Sequence, residues 1–128
     1  MTVADEPRPL EAECEVTVLH PERLENVRRH LPSQETLDDL SQTLKLLADP
    51  TRLLILSALL FEELCVCDLA ALTGVNESTM SHQLRLLRLQ DLVQFRKVGR
   101  IAYYRLSGEK SRQVVMQVTG IHPVEPVE

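Results

Sequence analysis

Between Asp68 and Leu106 two helical stretches give way to an alternating pattern, and that order leaves few ways to fold. Asp68 to Thr73 reads as a short helical stretch closed by Gly74. Val75-Asn76-Glu77 reads as a tight turn, and Ser78 to about Gln90 as a second helix. There Leu84, Leu87 and Leu86 point inward, while Ser81, His82, Arg85 and Arg88 point outward. The period then drops to two. Leu92 to Lys97 and Ile101 to Leu106 alternate about Val98-Gly99-Arg100, the pattern of a β-hairpin. Helix, glycine turn, helix and hairpin is the order of a winged helix-turn-helix. The expected fold class is mainly α with a small β-hairpin.

The flanking sequence reads as further helices. Residues 1–20 lack helical periodicity and are expected to form a mobile arm. Pro21-Glu22-Arg23 opens a short helix through His30, broken by Leu31-Pro32. Leu37, Leu40, Leu44 and Leu47 mark an amphipathic helix over 34–47. Asp49-Pro50 is a helix start, an acidic cap before proline at the first helical position. Leu53, Leu54, Leu56, Leu59 and Leu60 leave that helix almost no polar face, which predicts a core helix. A third short helix is expected over 62–73, and a last one over 109–119 with Val114, Val115 and Val118 apolar. Gly120 and Pro123 end it. This divides the chain into an arm with a short helix (1–32), a winged domain (33–120) and a tail (121–128).

Charge is distributed unevenly along these segments. The 128 residues carry a net −5, which argues against a general polyanion binder. Residues 1–39 hold ten acids and four bases, a net −6; residues 78–112 hold eight bases and two acids, a net +6. The basic segment coincides with the second helix and the hairpin, where DNA would lie against such a fold. Small polar residues, Ser78, Thr79 and Ser81, let the start of that helix approach a major groove. His82, Gln83 and Arg85 can donate to bases or phosphates. Arg96, Lys97 and Arg100 on the hairpin suit backbone or minor-groove contact. A protein-interaction module without DNA binding would leave the +6 segment unexplained.

No apolar run approaches the roughly 20 residues that span a bilayer, so no membrane partner is expected. The opening MTVADEPRPLEAEC is acidic and does not read as a signal peptide, so a cytoplasmic location is expected. Three cysteines, Cys14, Cys65 and Cys67, cannot all pair within one chain. In a reducing compartment their thiols stay free for metal or redox work. Cys65 and Cys67 are two residues apart. In a regular helix that spacing turns the side chains about 200° from each other. They share an ion only if the backbone at the helix start is irregular, or if one thiol reaches round; otherwise they are small buried hydrophobes. A helix N-terminus favours the thiolate. An enzyme is not expected. There is no Cys-x-x-Cys, no obvious base beside a nucleophile and no glycine-rich phosphate loop.

Residues 44–106 closely resemble the ArsR/SmtB family of metal-sensing repressors. The matching stretches are Ala48-Asp49-Pro50-Thr51-Arg52, ELCVCDLA at 63–70, SHQLRLLR at 81–88, and Val93 through Tyr104 ending in Ala-Tyr-Tyr. The resemblance implies a homodimer built on the first and last helices, with one recognition helix per half-site of a double-stranded operator. It also implies that the metal-free form binds operator and that inducer binding releases it. ELCVCDL looks like the thiolate site of cadmium-, lead- and arsenite-responsive members. Cys14 resembles the ligand arm that crosses to the partner subunit's site in the cadmium/lead branch. Val18 stands where a second arm cysteine is expected, so His20, Glu13 or Glu15 would supply a fourth donor.

Three thiolates suit As(III) or Pb(II), and three with His20 or a carboxylate suit Cd(II) or Zn(II). The implied cofactor is a regulatory ion of this kind, with none held permanently. The zinc site that some members carry on the last helix looks absent, because Gly108, Lys110, Ile121 and Val124 occupy its positions and His122 is one residue out of place. His82 reads as a DNA contact. The alternative is a repressor of the same fold that responds to thiol oxidation.

Overall fold

A computed structural model describes residues 16–124, and these divide into two compact units at Gln34. The first contains α1 (Pro21–His30), with proline in its first turn. Glu22 near its start and Arg28, Arg29 and His30 in its last turn complement the helix dipole. None of its residues is buried.

The second unit comprises α2 (Gln34–Leu47), α3 (Pro50–Ala58), β1 (Leu64–Cys65), α4 (Val66–Thr73), α5 (Glu77–Leu89), β2 (Val93–Val98), β3 (Ile101–Leu106) and α6 (Glu109–Thr119). This is a winged helix-turn-helix, as the sequence predicts. Asp49 caps α3 in extended conformation, its carboxylate accepting from the Arg52 backbone N–H at 3.0 Å. Gly74 closes α4 in the left-handed region at φ +82°. Asn76 caps α5, its Oδ1 accepting from the Thr79 N–H at 2.7 Å. α5 ends in a Schellman motif with Asp91 in the left-handed position usually given to glycine (φ +59°). The Leu92 N–H returns to the Leu87 carbonyl at 3.0 Å, and the Asp91 N–H to that of Arg88 at 2.9 Å.

The sheet is antiparallel in the order β1-β3-β2. Val98 pairs with Ile101 across a two-residue turn whose first residue, Gly99, takes φ +66°. β1 adds Leu64 opposite Tyr104 and Cys65 opposite Tyr103. The core gathers Ile55 and Leu56 of α3, Leu69 of α4, Met80, Leu84 and Leu87 of α5, Val93 of β2 and Val115 of α6, all fully buried.

The structure corrects the sequence reading at three places. The expected helix over 62–73 is instead a two-residue strand followed by α4 from Val66. Its partner, β3, lies nearly forty residues away, and local pattern carries no trace of such pairing. Asn76 and Glu77 belong to the cap and first residue of α5, not to a free turn. Leu54 is 43% exposed, so α3 is a core helix on one side only.

No atom lies within 4 Å of a Cβ built on Gly74, so a side chain there meets only backbone strain. Gly74→Ala should lower stability by about 1–2 kcal/mol with the fold retained, read as a lower Tm at unchanged far-ultraviolet circular dichroism.

Candidate nucleic-acid interface and thiol site

α5 buries Met80, Leu84 and Leu87, and this stripe fixes what the helix presents outward. Ser78, Thr79, Ser81, His82 and Arg85 are all exposed, on one continuous polar surface beginning at the helix N-terminus. Gln83 is different. It is half-buried, and its Oε1 accepts from Arg52 Nε at 2.7 Å. The segment's bases divide in the same way. Lys97 and Arg100 are exposed beside the hairpin turn, and among the described residues neither they nor Arg85 has an ion-pair partner. Arg96 Nε instead donates to Glu63 Oε1 at 2.9 Å, and its guanidinium lies 5.6 Å from the Tyr103 ring centre. Arg105 Nη1 is 3.8 Å from the other Glu63 oxygen. Arg88 lies 4.9 Å over the Phe95 ring, which itself leans on Tyr104. The +6 count therefore overstates the charge available to a phosphate backbone. Glu63, fifteen residues before the counted segment, offsets part of it.

Cys65 and Cys67 are free thiols placed where β1 passes into α4. Cys65 caps α4 with extended backbone (φ −89°, ψ 171°), and Cys67 is the second helical residue. The irregular backbone that a shared ion requires is therefore present, because only one of the pair has helical geometry. Cys65 is half-buried and Cys67 exposed, so neither is a core hydrophobe.

The expected thiolate at the helix start is opposed by a neighbour. The Cys67 thiol is hydrogen-bonded to the Glu77 carboxylate, which together with its negative charge pushes that thiol above the ordinary value. Slight desolvation and the charges of Cys65 and Asp68 add to the shift. Glu77 is the first residue of α5, so this contact joins the thiol pair to the start of α5.

His20 is exposed at the N-cap of α1, with no side-chain capping bond. Cys14, Glu13 and Glu15 lie outside the described residues. Among the described residues no three His, Cys, Asp or Glu side chains come together to hold a metal ion. The donor chemistry of Cys65 and Cys67 nonetheless fits part of a site for a thiophilic ion. His122 is exposed beyond the end of α6.

Sequence reasoning missed Arg52, Glu63, Asn76 and Glu77. Asn76 was accessible, as asparagine three residues before Thr79 at the start of a periodic run. The others act through side-chain partners distant in sequence or across a turn.

A polar helix face and a basic hairpin on one helical scaffold define a winged-helix DNA-binding protein. Residues 49–94 match the model of the bacterial regulatory proteins of the arsR family. A transcriptional repressor SmtB homolog from Synechocystis sp. is 46% identical over 94 residues, 73% of this chain and 71% of that protein. A cadmium resistance transcriptional regulatory protein CadC homolog from Staphylococcus aureus is 38% identical over 103 residues, covering 80% of this chain and 84% of the other. The homodimeric winged helix-turn-helix domain of a possible ArsR-family regulator from Mycobacterium bovis superimposes with a TM-score of 0.64 at 32% identity. It covers 71% of this chain and 86% of that one. The chain belongs to the arsR family of bacterial regulators and is a DNA-binding regulator, not an enzyme. No helix among the described residues is long and apolar enough to cross a membrane.

Because the raised Cys67 value favours the protonated thiol, its reactivity and its metal affinity should rise with pH through the alkaline range. Glu77→Gln removes the charge and should move the midpoint of Cys67 alkylation downward. Iodoacetamide rates against pH, measured in a Cys14→Ser/Cys65→Ser background, check this; an unmoved midpoint contradicts it.

Proposed function

We propose that this chain is a homodimeric transcriptional repressor that releases its operator when a thiophilic ion binds Cys65 and Cys67. The observation that carries this reading is the place of the two thiols. Cys65 is a strand residue paired with Tyr103 of the wing, and Cys67, in the first turn of α4, lies beside the Glu77 carboxylate at the head of α5. Any change of bonding at these sulfurs acts on both DNA-facing elements. The required coupling is modest, about 1–3 kcal/mol. The printed names of the relatives, an SmtB homolog and a cadmium-resistance CadC homolog, support a metal as the signal.

In this reading Cys14 supplies a third thiolate, and His20 or a carboxylate a fourth donor. The bound ion, Cd(II), Pb(II), Zn(II) or As(III), supplies a soft centre that holds sulfurs as thiolates. Cys65 and Cys67 would hold the ion as thiolates, the Cys67 proton that now faces Glu77 passing to solvent. For DNA, Ser78, Thr79, Ser81 and His82 face the groove, while Arg85, Lys97 and Arg100 neutralise phosphates. Gln83 contributes through its amide NH2, and Arg96 reaches DNA only by leaving Glu63. The homodimer contact runs along α2 and α6. Leu37, Leu40 and Leu44 form an exposed apolar stripe on α2, and Val118 is exposed on α6.

Anaerobic titration with each ion, following thiolate-to-metal absorption and DNA release together, tests the proposal. One ion should bind stoichiometrically, give the absorption band and release DNA. Cys65→Ser/Cys67→Ser should keep DNA affinity within about threefold and abolish release (less than ~0.6 kcal/mol by the affinity relation). Loss of DNA binding in that variant would make the cysteines structural. Release by oxidants and by no ion would establish the thiol-redox alternative.

The phosphate contacts make a separate prediction. Arg100→Ala should flatten the salt dependence of log affinity by about 1.8 on any duplex, about 0.9 for the phosphate lost by each protomer of the dimer. An unchanged slope would remove the wing tip from the DNA contact.

A further inference from the structure

Arg52 lies outside the basic segment, in the first turn of α3, and its side chain is engaged at both ends of its fork. Its Nε donates to Gln83 Oε1 at 2.7 Å, in the middle of α5. Its Nη1 donates to the Leu46 carbonyl at 3.2 Å, one of the unpaired carbonyls in the last turn of α2. Its own backbone N–H is held by the Asp49 cap. One half-buried guanidinium thus joins α2, α3 and α5. A second side-chain hydrogen bond, Thr43 Oγ1 to Gln90 Oε1 at a long 3.4 Å, links α2 to the C-cap of α5.

Arginine has donors only, so the Gln83 amide must turn its oxygen inward to Arg52. That settles which way the amide points and leaves the NH2 group as the part able to meet DNA. A glutamine that reads adenine in the major groove uses both amide atoms, accepting from N6 and donating to N7. With Oε1 turned inward to Arg52, Gln83 meets DNA through the donors of its NH2 group alone, suited to the acceptor edges of guanine or thymine.

We propose that Arg52 is a positioning residue for operator recognition. It sets α5 against the corner formed by α2 and α3, and it orients Gln83 as a donor and not a bidentate adenine reader. The proposal rests on the reading of α5 as the recognition helix. It differs from a phosphate-binding role for Arg52 in a measurable way, because a neutralised phosphate releases counterions and an internal hydrogen bond does not.

The test uses the full chain and two probes: the duplex that the wild-type protein selects from a randomised pool, and an unrelated duplex of equal length. Arg52→Met, Arg52→Lys, Gln83→Leu and the Arg52→Met/Gln83→Leu double variant are compared, each with a thermal melt. Arg52→Lys keeps the charge and most of the stem, so it reports on the fork even if Arg52→Met folds poorly. Each single variant should bind the selected duplex about tenfold more weakly, with affinity for the unrelated duplex and the salt slope unchanged. Adding Arg52→Met to Gln83→Leu should cost nothing further, because both remove one interaction. Three results would overturn the proposal. One is a salt slope smaller by about 1.8 for the dimer with equal loss on both duplexes, which makes Arg52 a phosphate contact. The second is a double variant as weak as the product of the singles. The third is unchanged affinity in all of them. A wild-type protein that selects no sequence overturns the repressor reading itself, and the positioning role with it.

Discussion

Burial of one stripe of α5 organises the DNA-facing unit. Met80, Leu84 and Leu87 have no solvent exposure, and they pack into a cluster shared with Ile55, Leu56, Leu69, Val93 and Val115. Side chains on a helix cannot be reassigned between faces without rotating the whole element. Once that stripe is buried, Ser78, Ser81, His82 and Arg85 must face outward. Shifting the helix by one position would bury Arg85 or Ser81 in place of Leu84 or Met80, at the cost of an unpaired charge or hydroxyl in the core. The polar reading surface is a consequence of the apolar one.

The thiol site depends on a second long-range feature, the pairing of β1 with β3. Without it, Leu64 and Cys65 would have no partner for their backbone groups and α4 could start earlier, as the sequence pattern suggests. With it, Cys65 is drawn out of the helix and into the wing sheet, while Cys67 stays in the first turn of α4 beside Glu77. The two sulfurs therefore touch two different mechanical elements. Electrostatics reinforce the arrangement. Glu63, immediately before β1, holds Arg96 and approaches Arg105, so the segment bearing the thiols also moderates the charge of the wing. Such exposed ion pairs are individually weak.

Much of this was legible in the residues alone. Asp49-Pro50 starts α3 because a carboxylate satisfies a free N–H and proline has none to lose. Gly74, Gly99 and Gly120 mark the places where the chain takes positive φ. The alternation about Gly99 predicts the hairpin, and α1, α2 and α6 fall where periodicity and breakers put them. The outward set on α5 was also readable, because helical period is a local property. The resemblance of ELCVCDLA and SHQLRLLR to the arsR family reached the same fold by another route.

What local pattern could not carry is pairing between distant positions. The strand at Leu64–Cys65 exists only because Tyr103 and Tyr104 lie opposite it. Gln83 looks like a DNA contact in the sequence, yet Arg52, thirty-one residues away, takes its oxygen. Arg96 counts as a free base until Glu63 is placed 2.9 Å from it. Cys67 sits at a helix start that should favour its thiolate, and a carboxylate from the next helix reverses the balance. Period, caps and turns follow from interactions within a few residues, so the chain encodes them directly. Partner choice among polar side chains follows from where the core brings the helices, and only the folded structure decides it.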